Sequence, residues 1–166
     1  MVGVSSNLED PRFTAYGLFA EAHAGLTARF AAQLEEHRLS AVEFEVLLRL
    51  ARSPGRRLRM TDLAGQTSLS TSGVTRVVDR MDRDGLVRRE ACASDRRSSY
   101  AVITDGGQAR LEEAVPGHLA LIQEWFVGQL QPEQLTSLLE SLRKIRDAVN
   151  PCATAGSVEA TPAEAA

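Results

Sequence analysis

The sequence predicts a mainly α-helical fold with a small β-wing, and three observations carry that expectation. Apolar residues recur every three or four positions from Phe13 to Leu34, from Val74 to Met81 and from Leu111 to Val149, which is the period of an amphipathic helix. Residues 86–103 break that period: LVRREA and YAVI, both suited to strands, flank the small, polar, cationic segment ACASDRRSS, as in two strands joined by a turn. Gly85 stands between the helical and the extended pattern, where a helix end needs a residue that tolerates a left-handed backbone.

Each element has a local reason. Asp10 and Pro11 are an N-cap and a first-turn proline for a long first helix, about residues 11–38, with Phe13, Tyr16, Phe19, His23, Leu26, Phe30 and Leu34 along one stripe. Leu39 to Phe44 combines a capping box, Ser40 with Glu43, and a hydrophobic staple, Leu39 with Phe44, so a second helix opens there and closes before Ser53-Pro54-Gly55. Arg56 to Met60 reads as a short strand that pairs with the ribbon. Thr61 is an N-cap for a short third helix with Leu63 and Ala64 inward, and Gln66 to Leu69 is a tight connection. A fourth helix starts near Ser70, where Val74, Val77, Val78 and Met81 fall at i, i+3, i+4 and i+7 and leave Ser72, Thr75, Arg76, Asp79, Arg80 and Arg83 outward.

Two short helices followed by a β-ribbon outline a winged helix-turn-helix, with the helix pair at about 61–84 and the wing at about 86–103. After Thr104 two further stripes occupy about 105–149: Leu111, Val115, Leu119, Ile122, Phe126 and Leu130, then Leu135, Leu138, Leu139, Leu142, Ile145 and Val149. Pro116 lies inside the first of these, removes a backbone bond to residue 112 and predicts a kink. The helices at both ends carry more apolar surface than so small a core can cover, which predicts a homodimer built from both ends of the chain. One domain over 11–150 follows, with disordered tails at 1–10 and 151–166, where no periodicity remains.

The run STSGVTR (Ser70 to Arg76), then VVDRMDRDGLVRR, then Asp95 and Arg97 near the ribbon tip and Ile103-Thr104 at its end resembles the MarR family of bacterial transcriptional regulators. The resemblance extends over roughly Pro11 to Val149. It implies a winged helix-turn-helix domain flanked by N- and C-terminal dimerisation helices, and a homodimeric repressor that binds pseudo-palindromic operators in double-stranded DNA and releases them when a small molecule or oxidant acts. By that resemblance the fourth helix enters the major groove with Ser70, Ser72, Thr75, Arg76 and Arg80 as DNA-binding residues. The wing adds Arg96 and Arg97 on phosphates or the adjacent minor groove, while Asp95, which cannot itself approach phosphate favourably, holds one of them in position. Arg83 is the less secure member of the basic face. In proteins similar to this one small aromatic acids bind beside the dimerisation helices. Here Arg12, Tyr16, Phe19 and His23 share one face of the first helix by spacing, as an effector-binding set for an aromatic acid or phenol, or simply as dimer core.

Charge fits this reading. The chain of 166 residues has a formal net charge of -3, yet residues 49–97 hold twelve Arg against six acidic residues, which leaves the rest of the chain strongly acidic. Phosphate attraction is thereby focused on the helix-turn-helix. Only Lys144 among the basic residues is a lysine, a bias that suits bidentate contacts and is equally what GC-rich codon usage produces. No signal peptide or membrane span is expected and the chain reads as cytoplasmic. Cys92 and Cys152 form no disulfide or metal framework; Cys92 reads as a small packed residue, with a redox role as the alternative. His23, His37 and His118 lack metal-site spacing. The Gly-any-Ser-any-Gly elbow of a hydrolase is absent around Gly73, so neither cofactor nor catalysis is expected. The competing reading is a winged-helix protein-interaction module that does not read DNA.

Overall fold

A computed structural model describes residues 8–67, 69–92 and 95–151, with residues 95–97 described in their backbone alone. The expected tails, apart from residues 8–10 and 151, lie outside the described residues, as do Cys152 and the side chains of Asp95, Arg96 and Arg97. The order of elements is α1 (Pro11–Glu36), α2 (Ala41–Ala51), β1 (Arg57–Arg59), α3 (Met60–Thr67), α4 (Thr71–Arg83), β2 (Val87–Cys92), β3 (Asp95–Ile103), α5 (Asp105–Trp125) and α6 (Pro132–Val149). The strands form one antiparallel sheet in the order β1-β3-β2. This is the mainly helical, winged architecture that the sequence predicts.

Short-range chemistry starts and stops the helices. Asp10 caps α1 by accepting from the Arg12 N–H at 2.9 Å, and the Ser40 and Glu43 capping box of α2 is fully formed. Ser70 caps α4 by accepting from the Gly73 N–H at 3.1 Å. The far end of α4 is a Schellman turn: Leu86 N–H donates to the Met81 carbonyl at 2.9 Å, Gly85 N–H to the Asp82 carbonyl at 3.1 Å, and Gly85 takes φ 71°. Leu86 and Met81, the apolar pair of that motif, are both buried.

The core gathers Val46, Leu47 and Leu50 of α2, Leu63 of α3, Val74, Val78 and Met81 of α4, and Ile103 of β3, eight side chains that are essentially inaccessible. Burying an aliphatic side chain of this size contributes about 1.5–3 kcal/mol, so the inner face of α4 is held by packing and its outer face need not contribute.

Four expectations need correction. Thr61 is not an N-cap: β1 runs straight into α3, which begins at Met60, and the Thr61 hydroxyl donates to Asp62 Oδ1 at 3.3 Å. Gln66 and Thr67 belong to α3 rather than to the connection, because Thr67 is buried and its hydroxyl bonds back to the Leu63 carbonyl at 2.7 Å. The second strand of the ribbon starts earlier than Tyr100, where its composition suggests. Cross-strand pairing carries β3 back through Ser99 and Ser98 to Asp95, with an irregularity between Ala91 and Cys92, so backbone bonding to the partner overrides the weak strand propensity of serine. The strand read at Arg56 to Met60 shortens to Arg57–Arg59, since Arg56 ends a 3-10 turn and Met60 joins α3. As expected of a helix interrupted but not ended by proline, α5 includes Pro116, with its ring exposed, and runs on to Trp125.

The junction of α4, β2 and α5 is the tightest place in the fold. Thr104 caps α5 by accepting from the Gly107 N–H at 3.0 Å, while its own hydroxyl donates to the Gly85 carbonyl at 2.6 Å and its N–H to the Leu86 carbonyl at 3.1 Å. A Cβ at Gly107 would stand 2.0 Å from the Leu86 oxygen. Gly107→Ala is therefore expected to destabilise the protein by about 1–3 kcal/mol through overpacking, read as a lower urea midpoint at fixed protein concentration. An unchanged midpoint would mean that α5 slides off the corner at no cost.

Candidate nucleic-acid interface

The outer face of α4 displays a row of polar side chains against its buried stripe. Ser70 spends its oxygen on the helix cap, and Ser72 Oγ lies 3.2 Å from it. Thr75 is half-buried and its hydroxyl donates back to the Thr71 carbonyl at 3.0 Å, so its proton is already engaged. Ser70 and the first turn behind it point the positive end of the helix dipole in one direction, the usual seat of a phosphate.

The arginines of this face divide by their partners. Arg76 is exposed and makes no ion pair or hydrogen bond among the described residues, which leaves its whole guanidinium fork available. Arg80 is committed on one edge: its Nε donates to Glu43 Oε1 of α2 at 2.7 Å. Arg83 folds back to donate to the Asp79 carbonyl at 3.2 Å, an ordinary use of a cation near a helix C-terminus. Its outward charge is thus turned along its own helix.

Asp79, one turn beyond Thr75, pairs with Arg89 of β2 at 2.8 Å, and the same guanidinium reaches the Thr75 carbonyl at 3.5 Å. Arg89 therefore ties the wing to the middle of α4, and Glu43 ties the other flank to α2. Neither tie is visible in spacing, since Glu43 and Arg80 lie 37 residues apart and Arg89 reads as one more strand residue.

On the outer face of the sheet Arg57 and Arg59 of β1 lie over the Tyr100 ring at 4.8 and 5.8 Å from its centroid, and Arg59 Nε donates to the Tyr100 hydroxyl at 3.3 Å. Glu90 accepts from Arg57 at 3.5 Å and pairs with Arg88. Asp95, Arg96 and Arg97 fall on the first residues of β3, with Asp95 opposite Cys92. Cys92 itself is buried, in keeping with a packed residue.

The effector set divides between two concavities. Arg12 and Tyr16 line one with Asp10 and Phe13, where the Arg12 guanidinium already holds Asp10 through bonds of 2.9 and 2.6 Å. Phe19 and His23, with stacked rings 6.2 Å apart, line an open apolar groove of about 640 Å³ with Leu18, Leu26, Phe30, Phe126 and Leu142. His118 packs between Phe30 and Phe44, and burial pushes its pKa down. Among the described residues no cluster of His, Cys, Asp or Glu could hold a metal ion, and no helix is long and apolar enough to cross a membrane.

Comparison with known proteins agrees with this geometry. The MarR family model matches residues 39–99. The HTH-type transcriptional regulator YkoM of Bacillus subtilis is 32% identical over 130 residues, covering 78% of this chain and 82% of that protein. A MarR family transcriptional regulator from Streptomyces coelicolor, solved in complex with DNA, superposes with a TM-score of 0.81 at 32% identity over 91% of this chain and 92% of its own. BpsR of Bordetella bronchiseptica, whose DNA binding is regulated by 6-hydroxynicotinic acid, superposes at 0.71 with 27% identity over 79% and 91% of the two chains.

Glu43 has a pH signature. Burial disfavours its charged form, but the Ser40 N–H, the Ser40 hydroxyl and Arg80 outweigh that effect and hold the carboxyl below its ordinary range. A depressed carboxyl pKa stabilises the fold above the unfolded value, about 4.3, and that contribution is lost as pH falls through the folded value. The urea midpoint of wild type minus that of Glu43→Gln should be constant above about pH 5 and shrink below it. A difference that persists unchanged to about pH 3 would show that these bonds do not favour the carboxylate.

Proposed function

Because this chain belongs to the MarR family of transcriptional regulators, we propose that it is a homodimeric repressor that reads a pseudo-palindromic operator and is released by a small-molecule effector. The observation that carries the reading is Arg76, an exposed guanidinium with no partner among the described residues, on a helix whose opposite face is locked in the core. Such a fork matches the O6 and N7 edge of guanine in the major groove. Ser72 and Thr75 extend the same strip toward base edges, Ser70 and the helix N-terminus fit a phosphate, and Arg96 and Arg97, positioned by Asp95, supply the flanking contact from the wing.

Dimerisation is supported by the terminal helices. Phe13, Tyr16, Leu18 and Phe19 of α1, Leu119 of α5 and Ile145 and Val149 of α6 are all exposed, and α6 buries no residue at all. A second copy covers such a face, and two copies place two α4 helices on half-sites about one helical turn, roughly 10 base pairs, apart. The effector proposal draws on the BpsR case and on the apolar groove at Phe19 and His23, which is large enough for a small aromatic molecule. The acid group of such a ligand is served by Arg12 only if it leaves Asp10.

The test is a salt titration of full-length protein on the duplex it selects from a random library and on a scrambled duplex. Arg76→Ala should cost about 1–3 kcal/mol on the selected duplex and far less on the scrambled one. Arg97→Ala should weaken both and flatten the log–log salt slope by about 0.9 per lost phosphate contact. Unchanged binding for both variants would leave the protein-interaction module as the function. For the assembly, Ile145→Asp is expected to convert a dimer into a monomer in sedimentation and to abolish tight operator binding; a monomeric wild type that binds as well would end the dimer proposal.

A further inference from the structure

We infer that Glu43, a residue of α2 outside the recognition helix, is a positioning residue for DNA reading: it aims the Arg80 guanidinium at the duplex and trades non-specific affinity for discrimination. The inference rests on α4 being the reading helix. Arg80 lies one turn beyond Arg76 on its outer face, and its side chain is about half exposed, 49%, against 10% for that of Glu43. The ion pair is therefore sealed on its carboxylate side and open on its guanidinium side.

The carboxylate has no freedom to follow a moving partner. Its Oε2 accepts from the Ser40 N–H at 2.8 Å and from the Ser40 hydroxyl at 2.7 Å, and its Oε1 accepts from Arg80 Nε at 2.7 Å. Two oxygens thus answer two rigid elements, the first turn of α2 and the last turns of α4. Arg80 has no other partner among the described residues, so with Nε–H engaged the two Nη groups remain as a fixed outward fork. A free arginine loses much rotamer freedom when it binds; this one has already lost it, and preorganised donors favour the geometry they match. The same carboxylate offsets the positive charge of Arg80, which weakens its pull on any phosphate regardless of sequence. A residue that fixes direction while reducing bare attraction raises the ratio of specific to non-specific binding.

A purely architectural Glu43 would act differently, so the experiment is a double-mutant cycle read as that ratio. Glu43→Gln keeps an amide oxygen for the Ser40 N–H, as glutamine serves in capping boxes, and removes the charge. In full-length protein it should lower the ratio of selected to scrambled binding on the order of tenfold, a coupling ordinary for contacting residues, with scrambled binding unchanged or tighter. Arg80→Met should lower the ratio similarly, and Glu43→Gln added to Arg80→Met should change it no further. Arg80→Lys, which restores charge without the fork, should keep the salt slope but not the ratio, and this comparison still decides if Glu43→Gln fails to fold. An equal loss from Glu43→Gln in the Arg80→Met background would overturn the proposal, because Glu43 would then act through the fold as a whole. So would full recovery by Arg80→Lys, or wild-type binding by Arg80→Met. If Arg76→Ala and Arg97→Ala also leave binding untouched, it is the DNA-reading function that fails.

Discussion

The carbonyls of Gly85 and Leu86 form the corner on which the rest of this molecule depends. The N–H groups of the same two residues close α4 where the wing begins, and the carbonyls receive Thr104 at the head of α5, all within hydrogen-bond distance. Gly85 is needed there for its left-handed backbone, and Gly107 for the approach of α5 to within contact of the Leu86 oxygen. Because one rigid corner serves three elements, an α5 that moves must carry α4 and β2 with it or break these bonds. A ligand or partner that shifts the terminal helices therefore has a direct mechanical route to α4, without any need for a long chain of side-chain contacts.

Around that corner the charges of α4 serve two purposes. Asp79 and Arg80, adjacent in sequence, reach in different directions, to Arg89 on the wing and Glu43 on α2. An exposed ion pair such as Asp79 with Arg89 contributes little to stability, about 0–1 kcal/mol, so its value here is in direction: together with the half-sealed Glu43–Arg80 pair it orients a helix whose depth is set by Val74, Val78 and Met81. Among the described residues Arg76, unlike Arg80 and Arg83, has no such duty. A protein that is acidic overall can still bind a polyanion in this way, since only a few oriented cations need to face the groove and the remaining charge is spent on structure or kept elsewhere.

What was legible in the sequence was local. Asp10-Pro11, the Ser40 and Glu43 box, Ser70 and Gly85 each act within four residues, and each does in the structure what its type and spacing imply. The outward face of α4 was equally legible because helical periodicity is local too. Thr61 was misread because a threonine before an apolar pair looks like a cap whether or not a strand feeds the helix directly. The length of β3 is hidden for a related reason: Ser99 is held in the strand by its pairing with Ala91, a partner that lies outside its own neighbourhood. The effector set shows the same gap, since a shared helix face brings Arg12, Tyr16, Phe19 and His23 into line without bringing them into one cavity.

The roles of Glu43 and Arg89 were hidden at a deeper level. Glu43 satisfies a complete local explanation as a capping-box residue, and nothing in its neighbourhood calls for a second partner. Yet a carboxylate has two oxygens, and the capping box occupies one. The other is buried at a helix junction, where an unpaired anionic oxygen would be costly, so some cation from a distant element has to meet it. That requirement follows from the burial of Glu43 in the fold and from elementary chemistry, and neither the burial nor the cation that answers it is written in the local sequence. The fold selects Arg80, and in doing so converts a residue that starts one helix into one that aims another.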